Sequence, residues 1–208
     1  MHPSPVDMLS SLIDLTAWYA AAHEKRKAML QHIHDQACAA FDLPIRLSFT
    51  MPEGYELANG LSDPATGDIR INEALWQQCD PIEPLFFFVH ELRHSMQSVH
   101  PEDFAAAYAL NSRYVLQFDG TAYKFGDHGM QTVQLSGSAD YFVELYLASP
   151  CERDANTFAY QVLKAAGAKG FIDTLYAIWT PKYTLFAEKD ALTEYLKAVA
   201  EIDRLIAE

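Results

Sequence analysis

The stretch Phe86-Phe87-Phe88-Val89-His90-Glu91-Leu92-Arg93-His94-Ser95-Met96-Gln97 constrains this chain more than any other. Leu85, Phe88 or Val89, Leu92, Met96 and Val99 recur at helical spacing, and Pro81 and Pro84 suit a helix entry. The run therefore reads as a helix buried through its apolar stripe. Residues four apart stack on one helical face, so His90 and His94 aim two imidazoles at one point with Glu91 alongside. That spacing is the one with which a helix grips zinc while keeping a carboxylate beside it. The bland alternative, a helical protein in which two of eight histidines fall four apart by chance, predicts no stoichiometric metal.

With 208 residues, 50% of them hydrophobic and 12% aromatic, the chain can bury a sizeable core, and one domain spanning 1–208 is expected. Within it we expect a helical N-terminal part over 5–41, a core carrying the site over about 43–167, and C-terminal helices over 170–207. A formal charge of -13 argues against nucleic acid or an anionic membrane as partner, since a phosphate-tracking surface needs an excess of Lys and Arg. Cys38, Cys79 and Cys151 are odd in number and widely spaced, which fits neither a disulfide framework nor a Cys-x-x-Cys knuckle. Residues 8–22 are apolar but lack a basic flank and contain Asp14, so they do not read as a signal peptide, and no stretch reaches membrane-spanning length without charge. The expected location is cytoplasmic.

Along the chain, 5–41 shows two helical stripes, one through Leu9, Leu12 or Ile13 and Ala20, a looser one through Met29, Ile33, Cys38 and Phe41. The charged cluster 23–27 either divides them or forms an exposed middle, and His32 and His34 read as surface residues. Residues 45–50 and 68–72 alternate as strands, 51–67 reads as loop, and Asn72 is placed to cap a helix over 73–78. A helical pattern resumes over 102–110. Asp119-Gly120 predicts a two-residue hairpin between 114–118 and 121–125, followed by a possible strand over 130–135. At the C-terminal end, Leu192, Leu196, Val199 and Ile202 or Asp203 form the seam of an amphipathic helix over 187–206.

A third ligand is sought downstream. Ser149 as N-cap, Pro150 at the first helical position and Gly167 as a stop define a helix. Glu152 could serve there as a capping-box glutamate. Its helical phase, shared with Ala155, Ala159, Val162 and Ala166, instead turns it toward the core, where an unpaired carboxylate is costly and a zinc ion supplies the partner. Asp154 falls with Thr157, Gln161 and Lys164 on the polar face and reads as a first-turn acid. Asn156 is placed to hydrogen-bond a ligand imidazole and fix its orientation. The rival is His100, which completes the spacing H-E-x-x-H-x-x-G-x-x-H but with Gln97 where that motif needs glycine for a sharp turn.

His90-Glu91-x-x-His94 followed by Glu152-Arg153-Asp154-Ala155-Asn156-Thr157-Phe158-Ala159 resembles the gluzincin metallopeptidases, particularly small cytosolic ones and the integral-membrane prenyl-protein proteases. In those families the first Glu of Glu-x-x-Ala-Asp/Asn lies on zinc. The segment 68–72 resembles the edge strand with which such enzymes align peptides. The resemblance implies an α+β, mostly helical zincin-like domain with a small mixed sheet beside the His-Glu-x-x-His helix. It also implies Zn2+ on His90, His94 and Glu152, with Glu91 as general base in the hydrolysis of a peptide or protein substrate. Tyr123, His128, Tyr141 and Tyr146 are candidate oxyanion donors. The alternative is an inactive metal-binding or interaction module on the same scaffold, against which the intact Glu91 argues.

Overall fold

Four large apolar residues in succession, Phe86 to Val89, point to all sides of a helix, so the helix carrying them must be covered all round. Helix α4 (Ile82–Val99) is covered in that way, with fourteen of its eighteen residues buried. The computed structural model describes residues 3–105, 110, 113–126 and 129–207. One side of α4 is covered by a three-stranded mixed sheet, in which β1 (Leu47–Ser48) runs parallel and β2 (Gly60–Ser62) antiparallel to a central β3 (Ile69–Ile71). Another side is covered by α6 (Pro150–Ala165), with contributions from α3 (His23–Phe41) and α7 (Phe171–Ile178).

The helix boundaries follow local chemistry. Ser4 and Asp14 cap α1 (Pro5–Ser11) and α2 (Leu15–Ala20) by accepting from Asp7 N and Ala17 N at 3.1 and 3.0 Å. Helix α3 stops where Asp42 turns left-handed. Helix α6 ends in a Schellman motif, with Ala168 N donating to Leu163 O and Gly167 N to Lys164 O, at 2.9 and 3.0 Å. The N-terminal part is thus three helices, and the charged cluster 23–27, read as either a break or an exposed middle, opens α3. His34 corrects the surface reading. It lies on the inward face with Leu30, Ile33 and Ala37, and its ring is satisfied by Asp35, 3.1 Å from Nδ1.

A second, antiparallel sheet, β4 (Tyr114–Leu116), β5 (Thr121–Gly126) and β6 (Gly129–Gln134), packs with α5 (Ala139–Ala148) and α8 (Ala191–Ala207) around Leu116, Phe142, Leu145, Tyr195 and Ile202. Helices and two small sheets make the fold α+β. The β4–β5 connection is a three-residue loop, Phe118-Asp119-Gly120, in place of the two expected. Gln117 N donates to Thr121 O at 2.8 Å, and Gly120 adopts φ 83°. In α8 the buried stripe is Ala191, Tyr195, Ala198 and Ile202; it meets the expected seam at Ile202 and runs one position earlier at the other three, which leaves Leu192 and Leu196 exposed. A short 3-10 turn, Pro101–Asp103, stands where the helix over 102–110 was expected to begin, and 106–109 lie outside the described residues.

The expected edge strand is also corrected. Ile69–Ile71 is bonded on both sides and cannot receive a peptide, whereas Gly60–Ser62, inside the segment read as loop, is an edge strand, as β1 is on the other side. Asn72 N donates to Asn59 O at 3.0 Å and Asp63 N to Asp68 O at 2.9 Å. By the alternation of an antiparallel ladder, Gly60 and Ser62 therefore turn their backbone polar groups outward. Among the described residues no helix is long and apolar enough to cross a membrane.

Candidate metal centre

His90 and His94 lie one turn apart on α4, with Nε2 atoms 3.0 Å from each other. Glu152, in the first turn of α6, faces them with Oε1 3.2 Å from His94 Nε2 and Oε2 3.3 Å from His90 Nε2. Donors at zinc-ligand distances from a tetrahedral centre lie about 3.4 Å apart, so the triangle is the right size for one such cation. Glu152 Oε2 is buried without a well-formed hydrogen bond, an orphan that a cation would satisfy. His90, Glu91 and His94 by themselves form a group able to hold a metal ion, their donor atoms lying within 4.8 Å of one another. The capping reading of Glu152 does not hold, since the Ser149 N–H it would accept from donates to Tyr146 O at 3.1 Å.

The electrostatics follow from burial and from this pairing. Burial alone would raise the Glu152 carboxyl, but the imidazoles of His94 and His90 hold it well below the usual carboxylate range. Burial opposes a charged His94, and the Glu152 carboxylate overrides it, raising that imidazole to about 9. A cation entering the site therefore competes with a proton, and its binding tightens as pH rises.

Glu91 points to a different wall. Its side chain lies against Gly60, where a built Cβ would stand 2.8 Å from both Glu91 Cγ and Oε1. Only glycine leaves that space. Burial pushes the Glu91 carboxyl above its ordinary value, against the pull of His90 and His94.

The residues that orient the imidazoles differ from those expected. Asn156 does not reach one; its Nδ2 donates to Trp179 O at 3.0 Å, and Asn156 Oδ1 and His90 Nδ1 are both buried without partners. The orienting residue is Gln97, the missing glycine of the rival motif. Its Nε2 donates to Cys151 O at 3.2 Å and to Asp154 Oδ2 at 3.0 Å, which leaves Oε1 to accept from His94 Nδ1 at 2.9 Å. With Nδ1 engaged by Gln97, His94 Nε2 turns toward His90 Nε2 and Glu152 Oε1.

Asp154 is more than a first-turn acid. It also takes two bonds from Arg93, at 2.6 and 3.2 Å, and Arg93 is held between the rings of Phe104 and Phe158. Asp154→Ala is expected to loosen Gln97 and with it His94, lowering metal affinity by about 10- to 100-fold while the metal stoichiometry at saturation stays the same. Titration against a chelator of known affinity checks it.

His100 is not part of the cluster. Its Nε2 lies 3.1 Å from both Phe41 O and Asp42 O, where it serves the end of α3. Of the oxyanion candidates, Tyr146 lines the cleft above the cluster, and burial together with the Glu152 and Glu91 carboxylates keeps its phenol protonated. Tyr141 is turned away onto Glu194 at 3.1 Å, and Tyr123 is not among the residues lining the cleft. His128 lies outside the described residues. Cys151 is a buried thiol pushed up to about 12, again by burial first.

The cleft is bounded on one side by Tyr55 and 57–62, on the other by 114–118, with α4 and α6 as its floor. No family model matches this sequence, and no curated protein and no solved structure is similar enough to it to count as a match, so the family resemblance rests on these residues alone.

Proposed function

We propose that the protein is a zinc-dependent peptidase that binds its substrate as an extended segment along Gly60–Ser62. The observation that carries this reading is the placement of Glu91. Its carboxylate lies on the free sheet edge, next to the donors of His90, His94 and Glu152 but engaged by a different wall of the cleft. A structural metal site has no use for such a carboxylate.

Zinc on His90, His94 and Glu152 would polarise a water molecule and the substrate carbonyl. Glu91 accepts a proton from the attacking water and passes it to the departing amine; its raised carboxyl suits both transfers. The Tyr146 phenol donates to the carbonyl oxygen as negative charge develops there. Gly60, whose N–H and C=O face outward, aligns the substrate backbone by strand addition.

Gly60→Ala gives a direct test. The Gly60 backbone is not in the left-handed region, so alanine fits the strand and the obstacle is the Glu91 side chain. The fold and zinc content are expected to survive while Glu91 swings off the edge. The fall in kcat for cleavage of an internally quenched peptide should be about 10- to 100-fold, since displacement of a reacting group by an ångström costs on that order. Unchanged kcat in Gly60→Ala would separate Glu91 from the proton transfer.

A further inference from the structure

The cleft has an aromatic wall. Phe118, at the tip of the β4–β5 hairpin, has its ring centroid 4.3 Å from that of Tyr146 and 6.4 Å from that of Trp179. Trp179 in turn stands edge-on to Phe87 at 5.3 Å. All four rings line the same cleft as His90 and Glu152, and Phe87 lies just short of one turn before His90 on α4.

Local structure gives no reason for Phe118. Hairpin tips ordinarily carry small or polar residues, yet this one presents a phenylalanine that is 40% exposed. The tip is also fixed in place. Gly120 N donates to Gln117 O at 3.1 Å, and a Cβ on Gly120 would come 2.5 Å from the Phe142 ring, so only glycine lets the turn close onto α5. Trp179 is fixed from behind by the Asn156 amide on its carbonyl. Asn156, on the ligand helix, thus serves the ring wall. Among the described residues no Lys or Arg lines the cleft, whose carboxylates are Glu91 and Glu152.

We propose that Phe87, Phe118, Tyr146 and Trp179 form a subsite for one bulky apolar side chain, aromatic or leucine-like, of the bound peptide. The proposal rests on the peptidase reading and adds the class of substrate to it. An apolar side chain entering there covers Phe118, Tyr146 and Trp179, which are partly open to water, and is worth about 10- to 100-fold in affinity over alanine. An acidic side chain meets two carboxylates and no cation, and is disfavoured.

The test uses binding, so that it does not depend on turnover. Zinc-loaded Glu91→Gln protein is titrated with the peptides acetyl-Ala-Ala-Xaa-Ala-Ala-amide, where the central residue is Phe, Leu, Ala or Asp. Calorimetry gives Kd, and the change in tryptophan fluorescence reports on Trp179, which lines the cleft where Trp18 and Trp76 do not. The Phe and Leu peptides are expected to bind at least about 10-fold more tightly than the Ala peptide, with Asp weakest. Phe118→Ala in the same background should remove that preference, and Phe118→Leu should retain most of it. Equal affinities across the series, or an unaltered preference in Phe118→Ala, overturn the subsite.

Hydrolysis by the chain with Glu91 intact is scored separately. Peptides bound with the expected preference but never cut would end the peptidase reading and leave the subsite standing. Peptides cut without side-chain preference would end the subsite and leave the peptidase reading standing.

Discussion

Glu91→Gln is expected to keep the fold and the zinc content and to lower peptide hydrolysis by about 10²- to 10⁴-fold, the range for loss of a positioned general acid or base. The substitution is nearly isosteric, so the space beside Gly60 remains filled. What is lost is the ability to take a proton. Steady-state rates on an internally quenched peptide, with zinc measured in the same samples, check both halves. Turnover close to wild type would remove Glu91 as the base even with zinc present.

Glu152→Ala should cost more metal affinity than any other single change outside the two histidines. Removing the carboxylate breaks a three-donor set into two imidazoles and leaves His94 without the partner that raises its pKa. The loss should exceed the about 10- to 100-fold that outer partners such as Asp154 carry. His100→Ala should leave metal affinity unchanged, because that ring is engaged with the end of α3. Chelator competition on the two variants ranks them. Greater weakening in His100→Ala would transfer the third position to the rival motif.

What could be read from the sequence was what depends on one element at a time. The period of α4 and the spacing of its histidines are local, and the structure returns both. Glu152 was legible because helical phase within α6 turns it inward regardless of what it meets. The residues that support the site are fixed by pairs of elements, and there the reading failed. The same phase count put Asp154 correctly on the more polar flank of α6, but Arg93 and Gln97, which reach it from α4, are invisible to that count. Asn156 was assigned to an imidazole on spacing alone, whereas Trp179, 23 residues on, holds its amide.

The sheet shows the same limit. Gly60–Ser62 is three residues long in a segment dense in Pro, Gly, Asn and Asp, and pairing with Ile69–Ile71 makes it a strand. In α8 two apolar stripes lie side by side, and burial selects Ala191 and Tyr195 where periodicity alone favoured Leu192 and Leu196, while Ile202 is buried as expected. His34 entered the core because its neighbours Gln31 and Asp35 give its ring polar contacts there.

The most direct test of this account is the metal content of the purified full-length chain, measured by elemental mass spectrometry before and after reconstitution with zinc. About one zinc per chain is the expected result, retained through gel filtration and removed by a chelator together with peptide hydrolysis. A chain that takes up no stoichiometric metal after reconstitution would contradict it, and the facing imidazoles and carboxylate would then be a buried ion-pair cluster and nothing more.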